Sequence, residues 1–346
     1  MDDQLPSPEI AVDELVTQLL DAIASGRTRR HVADLIQSTI SLAKVDTDPL
    51  NLKIAAAALR EMRDAFAMFQ PYANERKVAI FGSARTRQDD PLYAAARAVA
   101  EELAAGGWMV ITGAGPGIMQ AGMEGAGRER SIGVSIRLPW EQAANPVIAG
   151  DTKYVSMKYF FTRKLMLIKE AKGFVCLPGG FGTLDETFEL LTLTQTGKGV
   201  PVPIVFLDTP GDPYWEAIAA LITDHLVSRA LVNPSDTGLF YVTDDHHDAV
   251  RDINRFYRNY DSLRYVGAQL VIRLHTPPTD EQMELLNDQF GFLCVRGRIE
   301  RTGPLPIELR DGDAVRLARI TFVFAKHGFG DLRRLIDTVN GFVAAD

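Results

Sequence analysis

Between Arg76 and Arg258 the sequence alternates short apolar runs with amphipathic stretches, and three of the apolar runs end in glycine-rich turns. RKVAIFGSA reads as a strand closing on Gly-Ser, PLYAAARAVAEELAAGG as a helix with a glycine stop, and WMVITGAGPG as a strand leading into the helix IMQAGMEGAGRE. SIGVSIRLP is a third strand and KYVSM a short one, followed by the helix YFFTRKLMLIKEA. KGFVCLPGG and VPIVFLD complete the strands, with TLDETFELLTLTQTG and PYWEAIAALITDHLVS as helices, before LFYVTDD leads into DAVRDINRFYR. This alternation predicts a parallel sheet with helices on both faces. Strands that are near-continuously apolar suit burial on both sides. The expected class is α/β, a Rossmann-like doubly wound parallel sheet.

The flanks follow other rhythms. IAVDELVTQLLDAIA, RRHVADLIQSTISLA and NLKIAAAALREMRDAFAMF repeat apolar residues at helical spacing, so a helical N-terminal extension is expected over residues 1–70. Its RTRRH cluster reads as a solvated helix start. A Rossmann-like domain is then expected over 71–260. From 261 to 346, strand, helix and two successive strands precede a closing helix, which predicts a small α+β domain with antiparallel pairing.

Composition excludes several classes. The net charge is −8 over 346 residues, which argues against general affinity for nucleic acid or an anionic membrane. The start MDDQLPSPEI has no basic region followed by an apolar core, so no secretory signal is expected. No apolar run reaches membrane-spanning length. Cys176 and Cys294 lie far apart and form neither a disulfide framework nor a zinc spacing. A cytoplasmic protein is expected. His246 and His247, in DDHHD, invite a metal reading. Adjacent helical residues point apart, however, so a solvated helix start is expected and no metal is assigned.

In an open parallel sheet, ligands bind beyond the carboxyl ends of the strands. FGSAR, TGAGPG and PGGFGT all fall there. Glycine lets the main chain approach a ligand closely, and N–H groups at a following helix start favour an anion. A dinucleotide does not fit: Gly113, Gly115 and Gly117 are followed by Ile118 where the third fingerprint glycine belongs, and SIGVSIRLP ends without an acidic residue. A Walker A loop is absent as well.

The stretch CLPGGFGTLDE, starting at Cys176, carries two readings. Thr183-Leu184-Asp185-Glu186 matches a capping box and can simply start a helix. Alternatively Gly179, Gly180 and Gly182 cradle a phosphate, with Glu186 mounted beside it. Arg163 and Lys164 interrupt the apolar helix just upstream, and the topology can carry them to the same pocket mouth.

These residues carry a resemblance. PGGFGTLDE, with the upstream Arg163-Lys164 pair and with FGSAR and TGAGPGIM in order, resembles the signature of the Lonely Guy (LOG) family, often labelled "lysine decarboxylase-like". The resemblance covers roughly residues 76–258 and leaves out both flanks, which marks a longer, divergent branch. It implies a phosphoribohydrolase that cleaves the N-glycosidic bond of nucleoside 5′-monophosphates, of purine or cytokinin type, to free base and ribose 5-phosphate. It implies no metal or organic cofactor, and nothing in the residues supports the pyridoxal phosphate of the lysine decarboxylase label. On this reading Arg163 and Glu186 are catalytic. The N–H groups of Gly180 to Thr183 and the Thr183 hydroxyl hold the phosphate, the Gly113–Gly117 loop closes the other side, and Lys164 adds charge. Thr192, Ser83 and Glu141 line the site by resemblance, and Glu189 reads as a helix-face residue. Met157 stands further from Arg163 than in short family members, which leaves the base side open. Tyr159, Phe160 and Phe161 could stack on a purine, with at least two of them expected in the core. The rival reading on the same fold is a non-catalytic nucleotide sensor or carrier of a phosphate-bearing cofactor. A homo-oligomer, dimer or higher, is expected through the exposed strand edge of the C-terminal domain.

Overall fold

The computed structural model describes residues 8–45, 48–138 and 144–344. The chain divides into two compact units, 1–63 and 64–346. The first holds helices α1 (Pro8–Ile23) and α2 (Arg29–Lys44) and the start of α3 (Pro49–Phe69), as the apolar spacing predicts. α1 packs on α2, and the Arg29 guanidinium meets the Asp21 carboxylate at 2.6 Å across the turn Gly26–Thr28.

The second unit contains β1 (Lys77–Phe81), α4 (Pro91–Ala105), β2 (Met109–Thr112), α5 (Ile118–Arg130), β3 (Ser131–Ile136), β4 (Tyr154–Met157) and α6 (Phe160–Glu170). It continues with β5 (Gly173–Cys176), α7 (Phe181–Gln195), β6 (Ile204–Leu207), α8 (Tyr214–Leu221), β7 (Tyr241–Thr243) and α9 (His246–Phe256). The strands form one sheet in the order β4-β3-β2-β1-β5-β6-β7, and every pairing is parallel. The Rossmann-like architecture expected from the alternation is therefore present. The strands β1, β2, β5 and β6 are buried along their whole length, while edge strand β7 is not.

Local chemistry explains the helix limits. Asp90 caps α4 by accepting from the Leu92 N–H at 2.9 Å, Pro91 occupies the first helical position, and Gly107 leaves the helix at φ 89°. Tyr93, Ala96, Val99, Ala100 and Leu103 form its buried stripe. Burying one large apolar side chain of this kind contributes about 1.5–3 kcal/mol. One helix departs from expectation. The run beginning at Tyr214 does not continue as an α-helix to Ser228 but passes at Ile222–Val227 into a π-helical turn.

The chain lays β1 to β4 outward on one side, then returns to place β5 against β1 and proceeds the other way. The strand order thus reverses between β1 and β5. At such a switch point the loops leaving neighbouring strands diverge and open a crevice.

Beyond α9 the chain builds β8 (Tyr260–Val266), β9 (Gln269–Leu274), α10 (Asp280–Phe290), β10 (Glu300–Thr302), α11 (Pro306–Asp311), β11 (Ala318–Phe322) and α12 (Phe329–Asn340). The strands pair antiparallel in the order β10-β11-β9-β8. β8 and α11 escaped the sequence reading: YDSLRYV mixes charge with apolar residues, and a six-residue helix is too short to show a period. The core is continuous from this sheet into the parallel one. Ile272, Ile320 and Phe322 join Ile253 and Phe256 of α9, Leu335 of α12, and Val99 and Leu103 of α4 in one apolar cluster. An ionic knot sits inside this region. The fully buried Glu308 carboxylate accepts from Arg273 at 2.7 and 3.0 Å, from Arg319 at 3.2 Å and from the Leu305 N–H at 3.0 Å.

Candidate functional site

The three glycine turns meet at the switch point. Leu177 N–H donates to the Phe81 carbonyl at 2.8 Å, Ser83 N–H to the Pro178 carbonyl at 3.3 Å, and Ile118 N–H to the Ser83 carbonyl at 3.0 Å. The loops after β1, β2 and β5 are therefore stitched together through Ser83. Their glycines serve two different ends. A Cβ on Gly82 would lie 2.5 Å from the Ile118 side chain, one on Gly117 (φ 65°) 2.3 Å from the Ser83 carbonyl oxygen, and one on Gly179 2.2 Å from the Thr183 hydroxyl. Those three are required by packing. Gly180 and Gly182 meet nothing within 4 Å, so they leave the main chain bare towards open space.

That space is a cavity of about 830 Å³. Ser83, Gly113, Gly115, Arg163, Gly179, Gly180, Gly182, Thr183 and Glu186 all line it. The Tyr214 hydroxyl donates to the Gly179 carbonyl at 2.6 Å and holds the third loop from the start of α8.

The capping-box reading does not hold. α7 starts at Phe181 with Gly180 as its N-cap, so Thr183 lies inside the first turn and no side chain caps the helix. The Thr183 and Leu184 N–H groups both donate to the Gly180 carbonyl, at 3.0 and 3.1 Å. The N–H groups left without an intrahelical acceptor are those that precede them, on Phe181 and Gly182. Glu186 faces inward instead of backward. Its Oε1 accepts from Arg163 Nη1 at 3.1 Å, and its Oε2 is buried with no hydrogen-bond partner among the described residues. Arg163 is fixed in turn, because its Nε donates to the Val134 carbonyl of β3 at 3.0 Å. Burial pushes the Glu186 carboxyl above the usual carboxylate range, against the pull of Arg163 and Lys164.

Other expected residues fall outside the cavity lining. Lys164 pairs with Asp185 at 2.8 Å and Glu189 at 2.5 Å, so Glu189 is an ion-pair partner of α6 as well as a helix-face residue. Gly117 shapes its loop from behind. Thr192 is exposed, and its hydroxyl donates back to the Phe188 carbonyl at 2.7 Å. Glu141 lies outside the described residues. The aromatic trio also differs from expectation, since none of the three is core. Phe160 is 51% and Phe161 56% exposed, Tyr159 stacks on Phe161, and Phe160 lines the cavity. Cys176, beneath the loop, is fully buried, and its thiol is pushed up to about 12 by that burial, which leaves it unreactive at neutral pH.

Sequence reasoning missed Arg85, Met119, Ile136, Phe181 and Tyr214. Arg85 was visible in the FGSAR motif, being the next polar residue after the turn. Tyr214 carried no local signal, because its contact with Gly179 spans 35 residues.

The family described as "Possible lysine decarboxylase" matches residues 117–253. Among curated proteins, the chain is 29% identical over 162 residues to a cytokinin riboside 5′-monophosphate phosphoribohydrolase of Oryza sativa subsp. japonica, covering 44% of this chain and 64% of that one. It is 26% identical over 114 residues to a protein of the same description from Arabidopsis thaliana, covering 33% and 50% respectively. The chain thus spans between half and two thirds of the length of these relatives. Among solved structures it overlaps the molybdenum cofactor carrier protein of Chlamydomonas reinhardtii, with a TM-score of 0.37 and 18% identity over 53% of this chain and 98% of that one. The likeness to the Lonely Guy family carried by the motifs is borne out, and the curated relatives named here are hydrolases by description.

Proposed function

We propose, from that family likeness and from the cavity at the switch point, that this protein hydrolyses the N-glycosidic bond of nucleoside 5′-monophosphates, of purine or cytokinin type, to free base and ribose 5-phosphate. The observation that carries the reading is Glu186: a buried carboxylate on the cavity wall with one oxygen clamped by Arg163 and the other unpartnered among the described residues. In N-glycosidic cleavage the C1′–N bond breaks, positive charge builds on the ribose, and a water oxygen bonds to C1′. The unpartnered Oε2 takes a proton from that water while the carboxylate's charge stabilises the ring. The base nitrogen takes up a proton from solvent as it leaves, and Glu186 returns its proton to solvent, so that one water is added across the bond. The 5′-phosphate rests on the Phe181 and Gly182 N–H groups at the positive end of α7, with Arg85 at the mouth supplying charge. Gly180 and Gly182 allow the close approach. Phe160 offers a ring to the base. The catalytic carboxylate must be ionised, and its pKa is raised, so activity should fall on the acid side at a higher pH than for an ordinary carboxylate.

The test is ribose 5-phosphate release from a panel of nucleoside 5′-monophosphates, N6-substituted adenine nucleotides included, beside the matching nucleosides and Glu186→Ala. Release confined to monophosphates and lowered at least about 10²-fold by the substitution is expected. Tight binding of a nucleotide without any release would replace this reading with the sensor or carrier. The same proposal includes a cytoplasmic homo-oligomer, and light scattering that returns a monomer at micromolar concentration would remove that part.

A further inference from the structure

The pair His246-His247 lies at the start of α9, where helical geometry would set successive side chains about 100° apart. The rings do not diverge. Their centroids are 4.0 Å apart with planes tilted by 36°. Glu102, from the last turn of α4, reaches the same point: its Oε2 lies 2.8 Å from His247 Nδ1. One donor atom from each of Glu102, His246 and His247 falls within 4.8 Å of the other two. We propose that these three side chains form a binding site for a divalent transition-metal ion of the zinc type, linking α4 to α9.

The donor set suits that chemistry. Two imidazole nitrogens and one carboxylate oxygen make a three-protein-ligand zinc site with a fourth position for water. Magnesium and calcium prefer an all-oxygen shell and are poorly served by imidazole. The supports are rigid. Asp245 caps α9 by accepting from the His247 N–H at 2.7 Å, which holds the turn bearing both rings. Trp108, just past α4, donates from Nε1 to Asn254 of α9 at 3.0 Å and ties the two helices together further along. The donor atoms are therefore brought close by packing, and only side-chain rotation separates them from a coordination sphere. Asp244 and Asp245 add negative charge just before the pair, which raises the local cation concentration. The cluster shares no residue with the cavity lining, so a metal here would act on the α4–α9 contact and not on the glycosidic bond.

The experiment is calorimetric titration of the metal-stripped full chain with zinc chloride, with cobalt absorption spectra as a second readout of geometry. One equivalent is expected to bind, and zinc is expected to raise the melting temperature, since the assembled site binds it more tightly than the unfolded chain does. His246→Ala and Glu102→Gln should each weaken binding at least about tenfold, a loss of ~1.4 kcal/mol. His225→Ala, on the exposed π-helical turn, should leave it unchanged. The substituted side chains lie at the surface, and circular dichroism verifies that each variant is folded. Absence of saturable zinc uptake, uptake unaltered in both cluster variants, or equal binding of magnesium would each overturn the proposal. None of these results depends on hydrolase activity.

Discussion

Gly113→Ala offers a way to move the Arg163–Glu186 pair, to which the proposal gives the chemistry, without touching either member. A Cβ at this position would stand 2.4 Å from Arg163 Nη2 and 2.6 Å from Met119 Sδ. Ordinary contact for such atoms begins near about 3.5 Å, so each must retreat by roughly 1 Å. Both are the far ends of flexible side chains, and the backbone at Gly113 is not in the positive-φ region. The cost in stability should therefore stay below about 1 kcal/mol. The cost in function should be much larger. Arg163 is tethered to the Val134 carbonyl through Nε and to Glu186 through Nη1, so a guanidinium displaced by that amount breaks or bends one of these bonds. Misplacement of an orienting group by about 1 Å costs on the order of 10²-fold in rate, equivalent to about 2.7 kcal/mol of barrier. A second signature follows from charge. Arg163 is the strongest influence holding the Glu186 carboxyl down against burial, so its retreat should shift the acid limb of the kcat/KM profile to higher pH. The assay is ribose 5-phosphate release across pH, beside thermal melts of both proteins. A Gly113→Ala variant with native kcat/KM and an unmoved acid limb would refute the coupling of Arg163 to Glu186 as a working pair.

Three further outcomes follow from the same structure. Gly117→Ala should destabilise by about 2 kcal/mol or more in denaturant melts, because φ is 65° and the new Cβ would meet the Ser83 carbonyl oxygen of the backbone at 2.3 Å; a loss comparable to that of Gly113→Ala would contradict this. Glu308→Gln should cost about 3–5 kcal/mol by removing the buried charge that Arg319 and Arg273 share, leaving Arg273 only its ion pair with Asp313; an unchanged melt would show the knot to be dispensable. Asp208 follows β6 with Oδ2 accepting from the Trp215 N–H and Oδ1 buried without a hydrogen-bond partner among the described residues, and burial raises its carboxyl from 3.8 to about 6. The folded chain therefore binds this proton more tightly than the unfolded chain, and its contribution to stability falls as pH rises from about 4 to about 6. Asp208→Asn should remove that slope and gain on the order of 1–2 kcal/mol over the parent at pH 7 but not at pH 4 in urea melts, whereas equal differences at both pH values would count against it.

The limits of reading from sequence are visible at CLPGGFGTLDE. Thr183 and Glu186 satisfy a capping-box pattern, yet the helix begins two residues earlier and Glu186 turns to Arg163, 23 residues upstream. A local pattern records which backbone N–H a side chain can reach. It carries no information about a guanidinium that another helix brings beside it. The histidine pair makes the same point: helical geometry predicts diverging side chains, whereas the two ring centroids lie 4.0 Å apart and Glu102 of α4 reaches His247. At least two of Tyr159, Phe160 and Phe161 are expected in the core from sequence, but the face of α6 that is buried runs through Thr162, Met166 and Leu167.

The sequence by itself determined the parallel architecture, the three glycine turns and the candidacy of Arg163 and Glu186. Strand–helix alternation, apolar runs and glycine placement are consequences of backbone stereochemistry within a few residues, and such constraints are written locally. Tertiary structure alone decided that the loops after β1, β2 and β5 share one crevice through Ser83, that Tyr214 anchors Gly179, and that Glu186 keeps one buried oxygen without a partner among the described residues. Each of these depends on which strands become neighbours. Strand order is settled by packing across the whole sheet and not by the residues of any one turn.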